Sequence, residues 1–324
     1  MRPQDLWEGH GLKERAARLA ATPLSWLYAL GWEAYLATYT LKIKKPAAPH
    51  RPIICVGSLA VGGSGKTPVA LHIVRLLRGM GKPVVIGCNG YRGRHADEAA
   101  IAPEGPLSAA EWGDEPAMFR WLEPDVPIVV GRRRVQAAKL VHDAFSDAAL
   151  VMDDGFQHLP LTKQLTVLLD DLTPPNRMVL PAGPHREPRH NRKRADLIVP
   201  EDFELVREPM RLISPDGKDV KVGKYAVLCA LGQPDQFLLT LSVSFPNLLI
   251  PAPAVLMPDH DPLTAPDLWS RVPEELPIVV TAKDWVKLSE RPDVGERQFF
   301  IALQDVRLEP TEEFKVCLVN SFDG

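Results

Sequence analysis

A chain of 324 residues with 45% hydrophobic residues is long enough for about two domains with sizeable cores. Its 38 Lys and Arg stand against 41 Asp and Glu, a net charge of -3, so the overall balance gives no argument for nucleic acid, although a local basic patch could still hold phosphate. Cys55, Cys88, Cys229 and Cys317 are far apart and lack metal spacing, which excludes a thiolate metal site and reads as reduced, buried thiols of a cytoplasmic protein.

In chain order, the first predicted element is an apolar, aromatic helix over 19–41, containing Trp26, Tyr28, Trp32, Tyr35 and Tyr39. Glu33 and several small residues interrupt it, so it is a poor membrane span, and no cleavage site makes it a signal peptide. Arg15 and Arg18 before it and Lys42, Lys44 and Lys45 after it suit a helix lying in one leaflet; an ordinary helix packed on the domain, or a dimer contact, fits the same residues.

Next comes the short apolar run Ile53 to Val56, followed by a glycine-rich loop over 57–68 and a helix over 68–78. Gly62, Gly63, Ser64 and Gly65 let the backbone turn its N–H groups and the next helix start towards one anion; Lys66 adds charge for the outer phosphates and Thr67 a hydroxyl for Mg²⁺. Ala60 replaces the first glycine of the usual phosphate-loop pattern. The loop therefore predicts a bound nucleotide.

Beyond it, strands at 83–88, 127–130, 149–152 and 165–169 alternate with helices at 114–121 and 134–145, the first opening at the capping residue Asp114. This is α/β alternation, implying a mainly parallel sheet with helices on both faces and ligands at the carboxyl ends of the strands. The strand at 149–152 runs directly into Asp153-Asp154-Gly155-Phe156-Gln157-His158. A strand that ends in aspartate beside a phosphate loop suits a carboxylate on Mg²⁺ or its waters. A Pro/Arg-rich stretch at 180–194 breaks the pattern, and strands at 195–199, 225–230 and 278–281 indicate a second, smaller α/β domain. The expected organisation is a membrane-associated helical segment at 1–45, a phosphate-loop nucleotide domain at 46–195, and a second domain at 196–324 closing over the site, its last residues able to pack back on the first domain.

The phosphate loop, then Gly113-Asp114-Glu115-Pro116, the hexapeptide at 153–158, Leu180-Pro181-Ala182-Gly183-Pro184-His185-Arg186-Glu187-Pro188, Asp259-His260 and Thr281-Ala282-Lys283-Asp284 occur in the order seen in the tetraacyldisaccharide 4′-kinase family. The chain resembles that family over most of its length. The resemblance implies an ATP- and Mg²⁺-dependent kinase that phosphorylates the 4′-hydroxyl of a membrane-embedded tetraacyldisaccharide 1-phosphate in lipid A biosynthesis. It also implies a peripheral or monotopic position on the cytoplasmic face of the inner membrane, with the amino-terminal helix on the lipid and neither nucleic acid nor an obligate protein partner.

On the same resemblance, Asp114 looks like the base for the attacking hydroxyl and His260 like its dyad partner, assembled as the second domain closes. Thr67, Glu115, Asp153 and Asp154 would serve Mg²⁺, Lys66 the phosphates, and Arg186 the transferred group or the lipid phosphate. Asn89, Tyr91, Gln157, His158, Arg186 and Glu187 are the candidate lipid contacts. The chain departs from the family pattern at Cys88-Asn89-Gly90-Tyr91-Arg92, at Arg133, at His185, at Asp261 and at Ala282. The basic run at 185–194 reads either as a solvated linker or as a contact for anionic headgroups or the substrate's phosphate. Two other readings stay open: a phosphate-loop ATPase or GTPase acting as a metallochaperone or switch, and a catalytically degenerate membrane-bound homologue.

Overall fold

The computed structural model describes residues 3–50, 52–220, 223–245 and 254–322; the other parts of the expected segments lie outside the described residues. In chain order the elements are α1 (Pro3–Glu8), α2 (Leu12–Thr40), β1 (Ile53–Ser58), α3 (Lys66–Gly79), β2 (Val84–Cys88), β3 (Ala100–Ile101), α4 (Ala109–Trp112), α5 (Asp114–Leu122), β4 (Ile128–Val130), α6 (Arg134–Ala144), β5 (Ala149–Asp153), β6 (Leu165–Leu169) and β7 (Leu197–Val199). There follow β8 (Glu204–Arg207), β9 (Arg211–Ile213), β10 (Ala226–Cys229), α7 (Pro234–Ser244), β11 (Ala254–Leu256), β12 (Ile278–Thr281), α8 (Ala282–Leu288), β13 (Phe299–Leu303), β14 (Val306–Glu309) and α9 (Thr311–Asn320).

Two compact units form. The first comprises Met1–Val85, Arg134–Leu205 and Leu308–Gly324, and the second Ile86–Arg133 and Val206–Arg307. They interleave along the chain: the carboxyl-terminal stretch returns to the first unit, as the sequence allowed, but 86–133 joins the second, whereas chain order suggested successive segments at 1–45, 46–195 and 196–324. The reason is packing: α5 lies against α8, which draws the stretch after β2 into the same body as the later strands.

In the first unit β1 pairs in parallel with β5 on one side and β6 on the other, and β6 pairs in parallel with β7. Every residue of β1 and β5 is buried, which is the continuous run expected of parallel strands covered on both faces. The register sets Val56 opposite Asp153, so the chain enters the glycine-rich loop beside the point where β5 delivers its aspartates. Helix α3 packs on both strands and buries Val69, Leu71, Ile73, Val74 and Leu77 along one stripe, each worth about 1.5–3 kcal/mol when fully buried. Gly65 caps that helix at φ 78°, a left-handed conformation that favours glycine.

In the second unit β4 pairs in parallel with β2 and antiparallel with β3. A separate sheet has the order β11-β10-β12-β13-β9, parallel except for β9. Its core gathers Leu212, Tyr225, Val227, Leu241, Val279 and Phe300. Cys55, Cys88 and Cys229 are buried, while Cys317 is half-buried.

Candidate active site

The phosphate loop is built by its own neighbours in the first unit. Thr67, on the first turn of α3, donates its hydroxyl to Asp153 Oδ2 at 2.8 Å, joining the loop to the end of β5. Lys66 donates to Ser64 Oγ at 3.1 Å and stands 3.8 Å from Asp154 Oδ1. Arg186 donates to the same Asp154 oxygen at 2.7 Å and to Gln157 Oε1 at 3.4 Å. Burial alone would push the Asp154 carboxyl up, but Lys66, Arg186 and Arg134 outweigh it and hold its pKa below the ordinary value. Asp154 adopts φ 53°, a conformation uncommon outside glycine and one that clusters at functional sites.

The two adjacent aspartates thus do different work. Asp154 gathers the cations, and Asp153 with Thr67 offers hard oxygens. A hydroxyl and a carboxylate beside a phosphate loop fit Mg²⁺, which keeps several waters and takes the rest of its shell from phosphates. Among the described residues no three His, Cys, Asp or Glu side chains gather as a ready-made cage, so the fit is to an ion that brings its own waters.

Around this core, Gln157 Nε2 donates to Ser58 O at 3.1 Å and to Glu187 Oε1 at 3.0 Å. Glu187 is buried and pairs with Arg194; burial raises its pKa despite that partner. His158 is pushed down to about 4, by burial first and then by Lys163 and Arg134, and so stays neutral at pH 7. The basic run at 185–194 is not a solvated linker. Arg189 and Arg192 both reach Asp170 Oδ2 at 3.1 Å, Arg192 also pairs with Glu201, and His190 lies 3.1 Å from Glu33.

Helix α2 is fastened to this stretch along one side. Ser25 donates to Val179 O at 2.9 Å and accepts from Ala182 N at 2.9 Å, Tyr28 donates to Arg186 O at 2.7 Å, and Glu33 accepts from Asn191 Nδ2 at 2.9 Å. Its other side leaves Leu19, Leu24, Trp26, Leu27 and Leu30 exposed. Among the described residues no helix is long and apolar enough to cross a membrane.

In the second unit Asp114 is the first residue of α5, and its carboxylate does not cap the helix as expected: the cap is Gly113, without a side-chain bond. Gly113 sits at φ 97°, and a Cβ there would come within 2.9 Å of Tyr91 O, so glycine lets the 90–93 loop press on the helix start. Asp114 Oδ2 instead accepts from His260 Nδ1 at 2.9 Å, across 146 positions of sequence. Its Oδ1 is buried with no hydrogen-bond partner. Burial would raise the Asp114 pKa, but the His260 bond, Lys283 and Lys287 prevail and lower it.

His260 adopts φ 57° and is held on several sides. The Tyr91 ring meets it edge-on with centroids 4.8 Å apart, Arg92 donates to its carbonyl, and Lys287 fixes the next residue by donating to Asp261 O at 2.9 Å. Both members of the dyad lie in one unit, so the pair forms without the interdomain closure that chain order suggested. Glu115 follows on α5, half-buried; Asn89 is half-buried with an unpartnered Oδ1; Arg133 is exposed.

The chain as a whole has relatives among known proteins. A family model described as tetraacyldisaccharide-1-P 4′-kinase (LpxK) matches residues 17–323. The chain belongs to that family. It is similar to the tetraacyldisaccharide 4′-kinase of Anaeromyxobacter dehalogenans strain 2CP-C, 34% identical over 294 residues covering 78% of this chain and 76% of that one. It is likewise similar to that of Shewanella baltica strain OS195, 31% identical over 323 residues covering 94% and 90%. A crystal structure of LpxK from Aquifex aeolicus, described as an "apo" form in complex with ATP, matches at TM-score 0.78 and 29% identity over 94% of this chain and 99% of that one. The fold is therefore the α/β fold of this kinase family, and the readings as a switch ATPase or metallochaperone lose their ground.

Two residues of the sites had no role assigned from the sequence. Arg134, buried at the start of α6, donates to Asp153 O at 2.9 Å. Lys283, on the first turn of α8, reaches both Asp114 and His260. A shared signal existed: each is a cation in the first turn of a helix, where the macrodipole disfavours it, so a partner elsewhere has to compensate.

Proposed function

We propose that the chain transfers the γ-phosphoryl group of ATP to the 4′-hydroxyl of a tetraacyldisaccharide 1-phosphate lipid, the activity of its family. The observation that carries the assignment of roles is the buried Asp114: one carboxylate oxygen is engaged by His260, and the other has no hydrogen-bond partner. A buried, ionised acceptor with an open lone pair is what general-base work requires. In this reading the acceptor hydroxyl gives its proton to Asp114 Oδ1 as its oxygen bonds to the γ-phosphorus and ADP leaves. His260 keeps Asp114 oriented and charged through Oδ2.

Lys66 and the backbone N–H groups of 62–67 hold the phosphates, and Arg186, ordered by Asp154, adds positive charge for the transferred group. Mg²⁺, held by Thr67 and Asp153, would supply further neutralisation of phosphate charge. Glu115 stays a candidate metal ligand, and Asn89, Tyr91, Gln157, His158 and Glu187 candidate contacts for the lipid substrate. The exposed apolar side of α2 supports a peripheral position on the membrane, on its cytoplasmic face, where ATP is available.

The test is incubation of the purified protein with Mg-ATP and a disaccharide 1-phosphate lipid in detergent. A product heavier by one phosphate is expected, and Lys66→Ala should abolish most of it by loosening the phosphates. ATP consumption without a heavier lipid would overturn the reading.

A further inference from the structure

Lys283 is the residue of the second unit's site that the family assignment leaves without a role. Its backbone position is fixed by a reciprocal cap. Thr281 Oγ1 accepts from Asp284 N at 3.1 Å and donates to Asp284 Oδ2 at 2.8 Å, and that same carboxylate oxygen accepts from Ala230 N at 3.1 Å. Asp284 is fully buried and pairs with Lys287 at 2.9 Å, so the first turn of α8 is tightly held. Lys283 projects from that turn with its Nζ 3.2 Å from His260 Nε2 and 3.7 Å from Asp114 Oδ2.

The donor and acceptor inventory admits one arrangement. An ionised carboxylate only accepts and an ammonium only donates. His260 therefore donates from Nδ1 to Asp114 and accepts at Nε2 from Lys283. A neutral imidazole protonated on Nδ1 satisfies both contacts at once; an imidazolium would set Nε2–H against the ammonium. Asp259 Oδ2, 3.9 Å from Nε2, is too far for a hydrogen bond that would favour the other form.

We propose that Lys283 is a positioning residue for the kinase reaction: its ammonium fixes His260 as the neutral Nδ1–H tautomer, which locks Asp114 Oδ2 and leaves Oδ1 to take the hydroxyl proton. The proposal rests on the kinase reading above. The charged and titratable groups facing Asp114 are His260 on its loop and Lys283 and Lys287 on α8, with Asp259 and Arg92 next to His260. The tautomer matters as in other imidazole–carboxylate pairs, where the group on the far nitrogen decides which nitrogen carries the proton.

The experiment combines ¹⁵N-histidine NMR on the full chain with steady-state kinetics of lipid phosphorylation. In the wild type at neutral pH, His260 is expected to show a protonated Nδ1 and a bare Nε2. Lys283→Met should lose that single-tautomer pattern and lower kcat by about 10- to 100-fold with KM for ATP unchanged. Lys283→Arg should restore part of both. A wild-type His260 protonated on Nε2 overturns the proposal without any variant, as does a Lys283→Met protein that keeps the tautomer and the wild-type kcat. A wild type that phosphorylates no lipid would sink the kinase reading, while the tautomer measurement would still decide what Lys283 does to His260.

Discussion

The dyad makes a quantitative forecast. A positioned general base contributes about 10²–10⁴-fold, or about 2.7–5.4 kcal/mol at 1.36 kcal/mol per decade, so Asp114→Ala should lower kcat by at least about 10²-fold. His260 gives Asp114 one hydrogen bond, at 2.9 Å, to a charged acceptor. Such a bond is worth about 1.5–3 kcal/mol, which translates into about 10- to 150-fold for His260→Ala. The imidazole acts through Asp114 Oδ2, so its contribution should vanish once the carboxylate is gone. The double variant should therefore match Asp114→Ala alone, with a coupling energy close to the whole His260 effect. Initial rates of labelled phosphate transfer from ATP to lipid in detergent, at saturating nucleotide, give the three ratios. Nucleotide affinity, measured separately, should stay within about twofold, because Lys66 and Thr67 belong to the other unit. Losses that simply multiply would show that the two residues act independently and would refute the dyad.

Two further outcomes follow from charge and exposure. Asp114 and Asp154 both have pKa values held below the ordinary 3.8, so each contributes stability that is present above that value and lost as pH falls through the folded one; the base itself stays ionised across the neutral range. Denaturant midpoints and kcat measured against pH check this, and an acidic limb centred above about pH 5 would mean that burial, not His260 and Lys283, dominates Asp114. On α2, the triple change Trp26→Ser, Leu27→Ser and Leu30→Ser alters only exposed side chains, so each should shift stability by no more than about 0.5 kcal/mol, yet vesicle affinity should fall at least about tenfold. This is a sharper test than deleting the helix, since deletion would also remove the Ser25 and Tyr28 bonds to 179–186. Undiminished sedimentation with anionic vesicles would show that this face is not the anchor.

What the sequence determined by itself was local. Gly62 to Thr67 announce phosphate binding because the backbone curvature, the lysine and the hydroxyl all lie within one turn, and the apolar run into Asp153 places that carboxylate at a strand end. The alternation of strands and helices gave the class of fold for the same reason. Tertiary structure decided what depends on distant partners. Asp114 and His260 meet across 146 positions, so residue chemistry alone offered no link between them, and only the family motifs suggested one. Lys283 and Arg134 carried no assigned role until the groups facing them were known. The basic run at 185–194 reads in one dimension as free positive charge, whereas folding brings Asp170, Glu201 and Glu33 onto it from before and after in the chain. The division into units was likewise set by contacts: a chain can return to an earlier body, and packing of α5 on α8 carries 86–133 into the company of 206–307.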